Sequence, residues 1–203
     1  MREARRIIRP EARRVVGSGV LRTFFAVELP DAARRAAAEL ARRLAAEPGG
    51  EAVRWVRPES YHVTLRFLGD TPAARLGDLV ASVRRASADH APLALRLGAL
   101  SDLPNARRPR VVAVEVEPPE LLAALAAAVE RGVVAAGFAP EARPFRAHLT
   151  LGRVRSRAPR LDGRCEAAPF AVDSFALFRS DPGPGGAHYT PLERIALEGR
   201  TSP

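Results

Sequence analysis

Residues 61–69 read YHVTLRFLG and residues 145–153 read FRAHLTLGR. Both contain His-x-Thr-Leu, from His62 to Leu65 and from His148 to Leu151, 86 residues apart. The chain has only four histidines, so half of them sit in one repeated tetrapeptide. Side chains of a strand alternate between its faces. His62 and Thr64 therefore point one way, Val63 and Leu65 the other, and His148 and Thr150 are set likewise against Leu149 and Leu151. Each strand buries its Val/Leu face in a core and presents His plus Thr on the opposite face. If a pseudo-two-fold axis relates the two strands, two imidazoles and two hydroxyls converge in one cleft. Alternation also gives Arg66 the face of His62 and Thr64, which makes it a candidate phosphate ligand.

That set of groups suits phosphoryl transfer. Imidazole titrates near neutrality, so one ring can act as base while its twin, protonated, acts as acid. Threonine hydroxyls can donate to non-bridging phosphate oxygens and hold the group in line for attack. No metal or cofactor is required. A lone strand histidine most often serves only as a hydrogen-bonding residue, and it is the second copy that singles these out. His90 and His188 lack the motif and are read as surface residues. Glu59 lies three residues before His62, but no third ligand completes a metal site there.

Outward from the two motifs, strands and helices mix in an order that gives an α+β class. Strands are expected at 22–29, 62–68, 93–99, 111–116, 147–154, 170–178 and 192–198. A helix is expected after Pro30, capped by Asp31, with Ala33, Ala36, Ala37, Leu40 and Leu44 on its core face. A second is expected after Thr71-Pro72 as N-cap and first helical residue, with Leu76, Leu79, Val80 and Val83 inward. A third begins near Pro119, with Leu121, Leu122, Leu125, Val129 and Val133 on its apolar side and Gly137 at its end. Each half of the chain thus holds a His-x-Thr strand and at least one long helix, as a duplicated pair of facing lobes would. Phe24 and Phe25 sit on opposite faces of the opening strand, one in the core and the other a candidate to stack a nucleobase. Tyr189 is a further candidate for the cleft wall, and Arg107, Arg108 and Arg110 form a basic loop suited to an RNA backbone.

The chain is 203 residues long and 47% hydrophobic, enough to bury one sizeable core. Its net charge of +9 points to a polyanionic partner. All of the basic residues are arginine, with no lysine and no glutamine, which reflects composition bias as much as function. Residues 1–20 hold six Arg against two Glu and read as an Arg-rich extension or a misassigned start, followed by one bilobal domain over 21–203. No apolar run approaches the roughly 18 residues that span a bilayer. The single cysteine, Cys165, cannot form an internal disulfide, and a cytoplasmic setting is expected.

Four stretches together resemble a known family: LRTFFAVELP (21–30), WVRPESYHVTLRFLGD (55–70), FRAHLTLGR (145–153) and HYTPLERIAL (188–197). They are similar, in order and spacing, to the two-histidine (2H) phosphoesterase superfamily, specifically the RNA 2′,3′-cyclic phosphodiesterases once named 2′-5′ RNA ligases. The resemblance implies two pseudo-two-fold-related lobes, with antiparallel sheets lining a central cleft and helices outside. It implies metal-independent hydrolysis of RNA or nucleoside 2′,3′-cyclic phosphates to 2′-phosphates, by a monomer. His62 would be the acid for the leaving 3′ oxygen, His148 the base for water, and Thr64 and Thr150 the phosphate binders. Arg153 matches a substrate-contacting arginine, provided that a bulge turns it to the face of His148. The family usually has proline directly before the second histidine; this chain has Ala147. Two other activities use the same residues: 2′-5′ joining of RNA ends by the reverse reaction, and RNA binding without catalysis.

Overall fold

The opening strand β1 (Val20–Glu28) is followed by helix α1 (Asp31–Ala46), then β2 (Val53–Trp55) and β3 (His62–Pro72). Helix α2 (Leu76–Ala86), β4 (Leu93–Leu103), β5 (Val111–Glu117) and helix α3 (Pro119–Ala135) follow. The chain ends in β6 (His148–Val154), β7 (Phe170–Val172), β8 (Ser174–Asp181) and β9 (His188–Ala196). This computed structural model describes residues 19–105, 107–156, 161–183 and 186–199. The N-terminal extension lies outside the described residues except for Gly19 and Val20, and Val20 already pairs with Pro72 in the sheet.

Two antiparallel sheets result, β3-β1-β8-β9 and β2-β6-β5-β4-β7. They are not the two halves of the chain. The first sheet takes β1 and β3 from the start and β8 and β9 from the end. The expected strand at 170–178 breaks at Asp173, so that β7 edges the second sheet and β8 enters the first. Helix α1 follows a strand of the first sheet but packs against β2, β4 and β6 of the second, whereas α3 follows β5 of the second and packs against β3 of the first. Helix α1 thus crosses to the sheet that its preceding strand does not belong to, α3 bridges β5 and β3, and one core runs through both sheets. No described helix is long and apolar enough to cross a membrane.

Local chemistry explains the departures from expectation at the helix starts. Pro30, not Asp31, holds the N-cap position of α1, with no side-chain cap; Asp31 is the first helical residue, where its charge favours the amide end of the helix dipole. Thr71 caps nothing. Its buried hydroxyl bonds Thr23 Oγ1 at 2.8 Å across the sheet, so β3 runs on through Pro72 and α2 starts only at Leu76. Leu121 of α3 faces solvent, one position off the apolar stripe. Gly137, at φ +80°, ends the α3 segment in a conformation that side-chain-bearing residues avoid.

Helices α2 and α3 touch through Gly132, whose carbonyl accepts a hydrogen bond from buried Ser82 Oγ at 2.8 Å. A Cβ at Gly132 would lie 2.6 Å from the Cα of Val83, a backbone atom that cannot swing aside. Gly132→Ala gains up to about 1 kcal/mol of helix propensity, but overpacking costs about 1–3 kcal/mol. A net fall in melting temperature of a few degrees is expected by calorimetry, because about 1 kcal/mol shifts a domain of this size by roughly 2–4 °C.

Candidate active site

The tetrapeptide repeat is matched by a second repeat in the strands beside it. Glu28, Val27 and Ala26 of β1 pair with His62, Val63 and Thr64 of β3, and Glu115, Val114 and Ala113 of β5 pair with His148, Leu149 and Thr150 of β6. The partner strands read FFAVE (24–28) and VVAVE (111–115). Both ladders then slip by one residue at the same place. Leu65 is extra between the pairs Thr64–Ala26 and Arg66–Phe25, and Leu151 is extra between Thr150–Ala113 and Gly152–Val112. A bulge sends two successive side chains to one face and then restores alternation. Phe67 and Arg153 accordingly return to the histidine face of their strands, each at the same offset from its histidine.

This bulge turns Arg153 inward, as its candidacy required. It also corrects the reading of Arg66, which does not share the face of His62 and Thr64. Arg66 pairs with Phe25, a core residue, and its guanidinium edges the cleft while bonded elsewhere. It bonds Glu130 of α3 at 2.5 Å, the carbonyls of Phe67 and Ala139, and sits 3.7 Å from Glu141. Glu130 in turn accepts from the Glu141 amide at 2.8 Å. Arg66 thus ties the first motif to the segment that leads into the second.

A single cleft of about 1290 Å³ takes in His62, Thr64, His148, Thr150 and Arg153. Each histidine is oriented in the same way. His62 Nδ1 lies 2.8 Å from the carbonyl of Ser60, and His148 Nδ1 lies 2.8 Å from the carbonyl of Arg146, in both cases two residues back. A carbonyl only accepts, so Nδ1 carries the proton and Nε2 of the neutral ring keeps its lone pair. Among the described residues the hydroxyls of Thr64 and Thr150 have no intramolecular partner, so both are free to donate to a ligand. Burial pushes the His62 pKa down to about 4, against the pull of the Ser60 carbonyl, with the charges of His148 and Arg153 adding to the fall. Burial also lowers that of His148, partly offset by the Arg146 carbonyl and reinforced by the charges of Arg146 and Arg153. Burial therefore favours the neutral form of both rings.

The cleft is strongly cationic. Arg54, Arg57, Arg108, Arg110, Arg146 and Arg153 line it, while its two glutamates, Glu130 and Glu141, are held by Arg66. Arg107 is exposed beside Arg108, and the Asn105 side chain fixes this loop by accepting from both amides. Phe25 is fully buried against Phe175 and stacks no base. Phe24 faces the cleft, 4.8 Å from the His62 ring, but Phe178, Phe67 and Tyr189 cover it to 1% exposure. Tyr189 sits edge-on to His62 at 4.8 Å and lines the cleft. Phe67, 47% exposed on the same wall, was not singled out from sequence, because simple alternation assigns it to the core. His188 is exposed and lies 3.3 Å from Arg57. Among the described residues no group of three or more His, Cys, Asp or Glu is placed to hold a metal ion.

The sequence matches the family model described as LigT-like phosphoesterase over residues 27–113 and again over 112–189, one match for each motif. The chain belongs to this LigT-like phosphoesterase family. A curated relative from Thermus thermophilus, an RNA 2′,3′-cyclic phosphodiesterase, is 34% identical over 88% of this chain and 91% of its own length. Another of the same name, from Methanothermobacter thermautotrophicus, is 32% identical over 87% of this chain and 99% of its own. Among solved structures, TT0787 of Thermus thermophilus superposes on this LigT-like chain with a TM-score of 0.77 at 32% identity, covering 89% of this chain and all of that one. LigT of E. coli complexed with 3′-AMP gives 0.71 at 29% identity, over 88% of this chain and 99% of that one.

Proposed function

We propose that this protein hydrolyses RNA 2′,3′-cyclic phosphates to 2′-phosphates, with His62 and His148 as acid and base. The observation that carries the reading is the matched pair of imidazoles, each fixed through Nδ1 and each followed, two residues on, by an uncommitted threonine hydroxyl in one cationic cleft. Relatives of the same family and nearly the same length carry that activity in their names, and LigT of E. coli was crystallised with a nucleoside monophosphate.

In this reading His148 Nε2 takes a proton from water as the water oxygen attacks phosphorus. The bond from phosphorus to O3′ breaks, and His62 Nε2 delivers its proton to that oxygen. The product is a 2′-phosphate with a free 3′ hydroxyl. Thr64, Thr150 and Arg153 meet the non-bridging oxygens, where negative charge accumulates. The division of roles is the one that the family resemblance implies, and burial lowers the pKa of both rings. The acid's proton enters with the substrate, because a phosphate anion beside the rings raises what burial has lowered. No step calls on a metal, and every group that the reaction uses comes from one chain, so a monomer suffices. The test is turnover of a nucleoside 2′,3′-cyclic phosphate in EDTA with the product assigned by phosphorus NMR. Absence of turnover by folded protein, or a 3′-phosphate product, overturns the proposal.

The pH dependence follows with a definite sign. The profile of kcat/KM reports the free enzyme, in which one ring must be protonated. With both rings depressed, that form is lost as pH rises past an apparent pKa below 6.5, so kcat/KM is expected to decline from mildly acidic pH upward. The profile of kcat, which reports the complex, is expected to lie to the alkaline side of it. Coincident profiles with an alkaline limb above pH 7 would contradict the buried-histidine account.

A further inference from the structure

Several arginines that line the cleft have no acidic partner among the described residues, and three of them, Arg54, Arg110 and Arg153, lie together at one end of it. Arg54 on β2 stands directly opposite Arg153 on β6, and Arg110 leads into β5, whose Val111 faces Arg153 from the other side. All three are exposed and line the cleft. Among the described residues none of the three has a carboxylate partner, whereas Arg66, Arg96 and Arg194 each hold one. Like charges directly opposite on neighbouring strands destabilise a sheet. Folding alone gives no reason for Arg54 beside Arg153, but anions bound in the cleft against them do.

The three do not serve the same anion. Arg153 belongs to the reacting centre, since it lies on the strand of His148 and the bulge turns it to the histidine face. Arg54 on β2 and Arg110 ahead of β5 lie off that strand. Arg54 stands one strand over from Arg153, roughly 4.8 Å away, and Arg110 one residue before the position across from Arg153 on the other side, at the end of β6 away from His148. A terminal 2′,3′-cyclic nucleotide has one phosphate, which the two histidines and Arg153 occupy. The chain of an RNA continues from that nucleotide only through its 5′ oxygen, so the next phosphate lies on that side alone.

We propose that Arg54 and Arg110 form a second phosphate subsite, which takes the phosphodiester on the 5′ side of the terminal nucleotide of an RNA strand. The proposal rests on the cyclic phosphodiesterase reading above and narrows its substrate: a strand end is preferred to a free cyclic mononucleotide, which has nothing to place there. Guanidinium groups suit the task because they bind phosphate oxygens in a bidentate way and stay charged at every working pH.

The test compares kcat/KM for a nucleoside 2′,3′-cyclic phosphate with that for a tetraribonucleotide ending in the same cyclic phosphate. Wild type is expected to favour the strand by about tenfold or more, as one charge-assisted hydrogen-bonded pair would give. In the double variant Arg54→Ala/Arg110→Ala that ratio is expected to fall about tenfold, and Arg54→Lys/Arg110→Lys to recover part of it. The slope of log kcat/KM against log salt for the strand is expected to become shallower by about 0.7 for each phosphate no longer neutralised. A wild-type ratio near one, or an equal loss on both substrates in the alanine variant, overturns the subsite while the activity stands. No turnover of either substrate by wild type overturns the activity reading, and the subsite with it.

Discussion

Replacing His62 or His148 by alanine is expected to lower kcat for a 2′,3′-cyclic phosphate by about 10²–10⁴-fold in each case. The double variant is expected to lose little more than the worse single one, because acid and base act in one transition state and their effects do not multiply. A fold explanation for the loss can be tested directly. Each ring bonds a backbone carbonyl through Nδ1, and His62 also packs against Phe24 and Tyr189. Alanine at either site therefore removes packing as well as chemistry, whereas asparagine retains a donor for the carbonyl and no proton-transfer group. The asparagine variants are expected to melt near wild type and to be as inactive as the alanine ones. Activity within tenfold of wild type in either asparagine variant would show that the imidazole is not the proton carrier.

Much of this site was legible in the sequence, for a physical reason: period-two alternation fixes which residues share a face, and the repeat of His-x-Thr-Leu survives as a string. Strand and helix positions followed from the same periodicities, and the cleft brings together His62, Thr64, His148 and Thr150 as alternation requires. What alternation cannot give is an irregularity in pairing. The extra residues Leu65 and Leu151 decide that Arg66 turns to Glu130, that Arg153 turns to the cleft, and that Phe67 stands exposed on the wall. A bulge depends on the register of the partner strand, which no local window contains. The interleaving of lobes was hidden for a similar reason. The apolar stripe of α1 shows that the helix packs, but not that its partner is the sheet carrying His148. One signal was available and is weak: FFAVE and VVAVE precede their histidines by similar distances, which marks β1 and β5 as equivalent strands.

Thr64→Val and Thr150→Val are each expected to lower kcat by about 10²-fold, the scale seen when one donor to a developing oxyanion is removed, with KM changed much less. Valine keeps the β-branched shape that strands favour, so the substitution deletes the hydroxyl and little else. The protein supplies its own contrast. Thr23 and Thr71 belong to the same two strands as Thr64 and its neighbours, are buried, and bond each other at 2.8 Å. Their hydroxyls are committed to the fold. Thr23→Val leaves a buried partner hydroxyl poorly matched, at a cost of about 1–3 kcal/mol of stability. The two kinds of threonine should therefore separate on two axes: Thr64 and Thr150 in kcat at nearly constant melting temperature, Thr23 in melting temperature. If Thr64→Val and Thr150→Val instead lower only the melting temperature, their hydroxyls bond within the protein during turnover. The phosphate would then be held by Arg153 and the imidazoles alone. If they raise KM in proportion to the loss in kcat/KM, the hydroxyls grip the phosphate equally before and during attack, and the stabilisation they give is binding without catalysis.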